Sequence, residues 1–169
     1  PLSMSPRVKW TLLLVALLIL VTAGYYVYQD ITDTTPGRVW TKAAAFSPLT
    51  NRYGFTTVEF KGNLWAIGGN LYDGTNSEAW YTNDGSMWTP APSAAMVPQR
   101  IDASSAVFKD ALWVIGGQSV ETRKSHNDVW YSGDGITWYE IQPAAEFSPR
   151  SGHGTAVFHD RIWVTGGDL

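Results

Sequence analysis

The sequence predicts an all-β protein built from repeats of about fifty residues, and three observations support this fold class. Three segments align without gaps over nineteen positions: 51–69, 99–117 and 149–167. Aromatic residues make up 14% of the chain, with 9 Trp and 8 Tyr beside 16 Gly, which is typical of strands joined by tight turns. Asp-Gly dipeptides lie between aromatic-rich runs, and this arrangement is a strong hairpin signal.

The composition narrows the classes of function. With 169 residues, 44% hydrophobic and 16% charged, the chain has the composition of a globular domain. Its net charge is −3 and its basic residues are scattered singly, so we expect no nucleic-acid partner. Because there is no cysteine, disulfides, thiolate metal sites and a cysteine nucleophile are excluded.

The N-terminal part predicts export. Residues 10–29 carry no charge, and a helix of that length spans the roughly 30 Å hydrocarbon core of a bilayer. The flank at 1–9 is basic and the linker at 30–37 begins with an acid, so the positive-inside rule places the remainder outside the cytoplasm. An uncleaved transmembrane anchor and a cleaved signal peptide both fit. We therefore expect a membrane-anchored or secreted protein, in contact with membrane through 10–29.

Further positions recur in phase with the aligned segments. Segment 79–90 matches 129–140 at a constant offset of 50 residues. Recurring positions most economically serve the repeat itself, with ligand contact as the alternative for the arginines. These positions are Arg52, Arg100 and Arg150, the glycine pairs Gly68-Gly69, Gly116-Gly117 and Gly166-Gly167, and Trp80, Trp88, Trp130 and Trp138.

Each repeat divides into four short strands, A to D. In the second repeat we predict strand A at 102–108 and a turn at Lys109-Asp110. Strand B, at 112–115, is predicted to end at the glycine pair, followed by strands C and D at about 129–132 and 137–141, joined by an Asp-Gly turn. Four antiparallel strands in about fifty residues is the geometry of a β-propeller blade.

These features together resemble the kelch repeat. The resemblance rests on the arginine at the start, the Leu-Trp-Val-Ile-Gly-Gly strand, the spaced Trp-Tyr and the final Trp, and it covers 38–169. It implies a kelch propeller similar to the central domain of galactose oxidase, with strand A at the central channel and strand D outermost. One departure is that a tyrosine usual in this motif is often tryptophan here, at Trp65, Trp113 and Trp163.

The number of predicted blades is too small for a closed ring. Complete blades are expected at about 51–92 and 100–142, with a partial one before them and another at 149–169. Propellers have at least about four blades. We therefore expect a propeller fragment, completed by further blades of the same parent chain.

The segments 82–88 and 132–138 also resemble shortened Asp boxes, the turn motif of sialidases. One residue normally present between the Asp and the Gly is missing here. We predict turns in which an Asp or Ser side chain caps its own backbone, from which sialidase activity does not follow.

Recognition is expected in the longer loops, B–C at 70–79 and 118–129 and D–A at 89–99 and 139–149. These loops lie on one face of a blade, opposite the tight turns. Asp102 stands out because it replaces Gly54 and Gly152 of the other repeats. The candidate ligand-binding residues differ between repeats: Tyr72, Asp73, Asn76, Glu78, Asp102, Glu121, Arg123, Lys124 and His126. The expected function is binding of a protein or glycan.

Catalysis is not indicated by the residues. The three histidines do not converge, and the Tyr-Cys crosslink of a galactose-oxidase-like copper site needs a cysteine. The oxygen-rich stretch Asn70, Asp73 and Asn76 lacks the ligand spacing of an established calcium loop. We expect no catalytic residue, metal or cofactor. The alternative is a fragment of a carbohydrate-active enzyme, epimerase-like or oxidase-like, with its catalytic residues in missing blades.

Overall fold

The computed structural model describes residues 40, 42–43, 49, 51–71, 79–92 and 97–169. Two compact units divide the chain, Pro1–Lys42 and Ala43–Leu169, and the described strands all belong to the second. The described part contains strands and turns and no helix, which confirms the all-β prediction. The predicted membrane segment lies outside the described residues, and within them no helix is long and apolar enough to cross a bilayer.

Eleven strands are described, and they group by repeat. Repeat 1 contains β1 (Arg52–Phe60), β2 (Asn63–Leu71), β3 (Trp80–Thr82) and β4 (Thr89–Pro90). Repeat 2 contains β5 (Arg100–Ile101), β6 (Ser104–Phe108), β7 (Ala111–Ser119), β8 (Ser125–Ser132) and β9 (Tyr139–Gln142). Repeat 3 contains β10 (Gly154–Phe158) and β11 (Arg161–Thr165).

The pairing within each repeat is antiparallel, as predicted. Repeat 1 has the order β1-β2-β3-β4, and repeat 3 is the hairpin β10-β11. In repeat 2 both β5 and β6 pair with β7, which is followed by β8 and β9. Strand A of repeat 2, predicted at 102–108, is observed as β6. The short strand β5 precedes it, and the two are separated at Asp102, whose φ of 54° interrupts the extended backbone.

The long B–C loop predicted at 118–129 is wrong. Strand β7 continues through the glycine pair to Ser119, and β8 begins at Ser125, so the connection is only 120–124. The pairing register shifts between Ile115 and Gly117, so the glycines form an irregularity inside the strand and do not end it. Ladder hydrogen bonds join backbone groups, and polar side chains from Ser125 onward therefore do not prevent pairing.

Two-residue turns join β1 to β2, β6 to β7 and β10 to β11. Lys109 and Asp110 have φ of 50° and 55°, which confirms the turn predicted there. Positive φ values also occur at both residues of the other two turns, Lys61-Gly62 and His159-Asp160. Positive φ at both central residues is the type I′ geometry, whose twist matches that of the paired strands.

The Asp-Gly turn of repeat 2 caps its own backbone, as predicted. The Ser132 hydroxyl accepts a hydrogen bond of 2.8 Å from the Gly135 N–H. One carboxylate oxygen of Asp134 accepts bonds of 2.8 and 2.7 Å from the N–H groups of Ile136 and Thr137. Desolvation opposes ionisation of Asp134, but these donors hold its pKa below the usual range.

The turn of repeat 1 repeats this pattern. Asp84 accepts bonds of 2.9 and 2.8 Å from the N–H groups of Met87 and Ser86, while the Thr82 hydroxyl accepts a 3.0 Å bond from Gly85. The bonds from Met87 and Ser86 lower the pKa of Asp84 well below its usual range. Both turns are therefore determined by hydrogen bonds within six residues of sequence.

The hydrophobic core lies between repeats 1 and 2. Trp65 of repeat 1 is buried, and its indole N–H donates to the Phe60 carbonyl over 3.2 Å. The two central strands of the repeats, β2 and β7, both supply residues to this core. Its buried members are Phe60, Trp65, Ile67, Ala79, Ala91, Val97, Leu112, Val114 and Trp138. Neighbouring repeats therefore bury each other's sheet faces.

Candidate functional site

The repeats are joined along a line of backbone hydrogen bonds, which we call the seam. The Asp102 N–H donates to the Gly54 carbonyl over 2.7 Å, and the Gly152 N–H donates to the Asp102 carbonyl over 2.8 Å. These three residues occupy equivalent positions and have φ of 65°, 54° and 64° in chain order. The seam therefore links one position of each repeat to the same position of the next.

Of the three residues of the seam, Asp102 alone has a side chain, because the other two are glycines. Its side chain is exposed and forms no hydrogen bond or ion pair with another described residue. One carboxylate oxygen lies 3.0 Å from the place that a Cβ on Gly54 would take. A left-handed conformation costs a residue other than glycine about 1–2 kcal/mol, although Asp tolerates it better than most. The side chain thus stands where local conformation alone favours glycine.

The glycine pairs allow the next repeat to approach. A Cβ on Gly68 would lie 2.9 Å from the carbonyl oxygen of Arg100, and one on Gly116 would lie 3.0 Å from that of Arg150. The Gly117 N–H donates to the same Arg150 carbonyl over 2.9 Å. Real Cβ atoms rarely come this close to a backbone oxygen, so only glycine fits at the first position of these two pairs.

The recurring arginines bind their own glycine pairs. Nη1 of Arg52 donates to the Gly68 carbonyl over 2.9 Å. Arg100 and Arg150 form the equivalent bonds, of 2.9 and 2.8 Å, to Gly116 and Gly166. Each bond spans 16 residues and ties the beginning of a repeat to β2, to β7 or, in repeat 3, to the residue directly after β11.

In repeat 2 this arginine is also part of a buried ion pair that sequence analysis missed. Asp128 accepts bonds of 2.6 and 2.9 Å from the Arg100 guanidinium and a 2.8 Å bond from the Trp130 indole N–H. Desolvation opposes ionisation of Asp128, but Arg100 and Trp130 lower its pKa. The sequence signal was an aspartate two residues before the recurring tryptophan, inside a segment predicted to be loop.

The recurring tryptophans differ in burial. Trp138 is buried in the core, whereas Trp80, Trp88 and Trp130 are half-buried. Among these half-buried tryptophans, Trp130 packs against the described hydrophobic core.

The connection 120–124 holds three more predicted candidates. Glu121, Arg123 and Lys124 are exposed, and their side chains form no hydrogen bond or ion pair with another described residue. The backbone closes the turn: the Ser119 N–H donates to the Lys124 carbonyl over 2.9 Å, and the Arg123 N–H to the Ser119 carbonyl over 3.0 Å. A short turn therefore displays these charges on a fixed scaffold.

Strand pairing brings this connection to the same end of the sheet as Asp102. Ile101 pairs with Gln118, and Arg100 pairs with Ser119, directly before the connection. We call this end the recognition end, because the sequence predicts recognition there, and define it by Asp102, Glu121 and Arg123. The type I′ turns lie at the other end of the strands.

The remaining candidates are not brought into this group. His126 is a half-buried residue of β8 and not part of a loop, and its carbonyl accepts a 2.9 Å bond from the Arg150 N–H. Tyr72, Asp73, Asn76 and Glu78 lie outside the described residues.

A small cavity between repeats 1 and 2 does not offer a ligand site. Its volume is about 10 Å³, which is room for about one water molecule. Core side chains and the buried arginine surround it: Ile67, Gly68, Val97, Pro98, Arg100, Ala103, Val114 and Trp138. It is a packing gap between the two repeats.

A serine–histidine pair joins repeats 2 and 3. The Ser104 hydroxyl and Nε2 of His153 lie 2.7 Å apart, and both residues are buried. Burial keeps the hydroxyl from any substrate, so the pair does not have the accessibility of a nucleophile and its base. Within the described residues, no three His, Asp or Glu side chains are placed to hold a metal ion.

The sequence matches no protein-family model, and no curated protein is significantly similar to it.

Proposed function

We propose that this chain is part of a kelch-type β-propeller that binds a protein or glycan outside the cytoplasm. In this proposal repeats 1 and 2 are blades, further blades of the parent chain complete the ring, and segment 10–29 anchors or exports it. The observation that carries the binding function is the recognition end, where Asp102, Glu121 and Arg123 display charges that no other described residue neutralises.

The contrast between the two ends of the strands supports this proposal. At the turn end, Lys109 is paired with Asp160 over 3.4 Å, and the turns differ little between repeats. At the recognition end, Asp102 takes the place of glycine, and the charges of 120–124 remain unpaired among the described residues. Non-repeated polar groups on a rigid scaffold are typical of binding surfaces.

Binding arrays test this function. The full chain, held in mild detergent, is applied to printed oligosaccharides and to a peptide array, and each hit is titrated. We expect saturable binding that falls at least about tenfold in Asp102→Gly and in the double variant Glu121→Ala/Arg123→Ala, because two charge-assisted contacts are worth about 1.5–3 kcal/mol each. Asp102→Gly introduces the residue that both other repeats carry, so the fold is retained.

Lys109→Ala is the matched control, because it removes an exposed charge from the opposite end of the same repeat. Equal loss in Lys109→Ala and Asp102→Gly would contradict the assigned surface. Chemical conversion of a captured oligosaccharide would favour the enzyme alternative over a binding module.

A further inference from the structure

The interface between repeats 2 and 3 contains a buried imidazole that the other repeats lack. His153 occupies the position of Phe55 in repeat 1 and Ala103 in repeat 2. It is 7% exposed, and its ring carbon Cε1 lies 2.9 Å from the place that a Cβ on Gly116 would take. Its Nε2 is 2.7 Å from the hydroxyl of Ser104, which is also 7% exposed. The His153 side chain therefore packs between repeats 2 and 3.

Two hydroxyls are hydrogen-bonded to each other between repeats 1 and 2, whereas between repeats 2 and 3 the imidazole of His153 takes the place of one of them. Between repeats 1 and 2, the hydroxyls of Thr56 and Ser105 are 2.6 Å apart. The equivalent residues between repeats 2 and 3 are Ser104 and Thr155. There Ser104 bonds to His153 instead, and the Thr155 hydroxyl is buried without a hydrogen-bond partner. The hydroxyl contact between repeats 1 and 2 is thus neutral at every pH, whereas the contact between repeats 2 and 3 includes a titratable imidazole.

The surroundings of His153 disfavour its charged form. Burial lowers the pKa of His153, and the nearby positive charge of Arg150 lowers it further, although the backbone of Ile115 acts in the opposite direction. The segments packed around the ring carry Asp102, His126, Arg150 and Asp168 as charged or titratable residues, and none of these donates or accepts a hydrogen bond with the imidazole. Nδ1 is buried without a hydrogen-bond partner among the described residues.

The seam passes directly beside this ring. Gly152 precedes His153, and its N–H donates to the carbonyl of Asp102 at the recognition end. We propose that His153 is an acid-sensitive latch: protonation separates repeat 3 from repeat 2, breaks the seam at Asp102 and switches off the recognition end. The acid-induced separation of repeats 2 and 3 does not depend on the proposed function. Only the effect of this separation on a bound ligand rests on that function.

The direction of the pH dependence follows from the neutral state of the ring. A histidine that folding keeps neutral contributes its full stability above its unfolded pKa, near 6.5, and loses that contribution as pH falls below this value. The latch is therefore closed at pH 7.5 and weakened at pH 5.5.

Hydrogen exchange of the full chain, followed by mass spectrometry at pH 7.5 and 5.5, tests the latch without a ligand. Rates are corrected for intrinsic exchange with unfolded peptides. We expect exchange in 149–158 to accelerate several-fold at pH 5.5 in the wild type and to change little in His153→Ala. Alanine is the natural residue at this position of repeat 2, so the variant keeps a side chain that the repeat accommodates.

His159→Ala is the control, because this histidine lies exposed in the turn between β10 and β11. It should retain the acid response of the wild type. An equal acid response in wild type and His153→Ala, or none in the wild type, would overturn the latch. If His153→Ala is poorly folded at pH 7.5, Ser104→Ala serves instead, and it should already exchange several-fold faster in 149–158 at pH 7.5.

A ligand from the arrays adds a second test. The wild type should lose it at pH 5.5, whereas His153→Ala should retain it. Because exchange is measured without ligand, a protein that binds nothing but opens in acid would refute the proposed function and support the latch. A protein that binds ligand equally at both pH values would refute the regulatory role.

Discussion

Repeats 1 and 3 contain nearly the same hairpin in two different surroundings. Trp65 and Phe60 of repeat 1 are 3% and 2% exposed, whereas Trp163 and Phe158 of repeat 3 are 51% and 60% exposed. Yet in each hairpin the indole N–H donates to the phenylalanine carbonyl, over 3.2 Å in repeat 1 and 2.9 Å in repeat 3. The residues of the hairpin therefore determine its internal geometry, whereas the neighbouring repeat determines how deeply its side chains are buried.

Repeat 2 supplies the cover over the repeat 1 hairpin. A Cβ on Gly135, in the Asp-Gly turn of repeat 2, would collide with the ring of Trp65. The Lys61 ammonium in the repeat 1 turn donates to the Gly133 carbonyl over 2.7 Å. Each repeat thus contributes its own hydrogen bonds plus an interface with the next, as in other repeat proteins.

Removal of the two indoles should produce the largest difference between repeats 1 and 3. Trp65→Ala should lower the free energy of unfolding by about 3–5 kcal/mol, because it leaves a cavity under the Gly135 turn. Trp163→Ala should change it by less than about 1 kcal/mol, since half of that side chain is already in solvent. Urea unfolding followed by circular dichroism measures both variants. Similar losses would show that hairpin geometry, and not the neighbour, determines stability.

The buried ion pair between Arg100 and Asp128 should contribute more stability than the exposed pair between Lys109 and Asp160. Asp128→Ala should destabilise the protein by about 3 kcal/mol, because it leaves the Arg100 guanidinium buried without its carboxylate. Asp160→Ala is the control, since it removes an exposed partner of Lys109 and should cost less than about 0.5 kcal/mol. Thermal melts at pH 7.5 compare the two variants, and a loss below 1 kcal/mol in Asp128→Ala would contradict the structural role of the pair.

A smaller effect is expected in the turn that covers Trp65. Gly135→Ala should cost about 1–3 kcal/mol, because the new methyl group meets the indole and the backbone has φ of 80°. Gly133→Ala, two residues away, should be nearly neutral because nothing lies within 4 Å of the added Cβ. Urea titrations of both variants, in wild-type and Trp65→Ala backgrounds, should show the Gly135→Ala loss shrinking when the indole is absent. An unchanged loss would assign it to backbone strain alone.

The turns of each repeat can be predicted from the sequence, because the hydrogen bonds and backbone preferences that form them involve neighbouring residues. The Lys109-Asp110 turn and the self-capping Asp134 turn follow from short-range turn chemistry. The continuation of β7 through Gly116 and Gly117 cannot be predicted in this way, since glycine weakens a strand interior and the run of apolar residues stops there. His126 is therefore predicted in a loop, but it lies in β8.

The all-β class, the recurring positions and the turn chemistry of this protein follow from its residues alone. Which distant side chains meet depends on the fold: Arg100 with Asp128, 28 residues apart, and Ser104 with His153, 49 residues apart. The two kinds of interaction differ in their range along the chain. A turn or hairpin is stabilised by groups already close along the chain, whereas the seam, the ion pair and the latch depend on the register of whole strands and the packing of one repeat against the next.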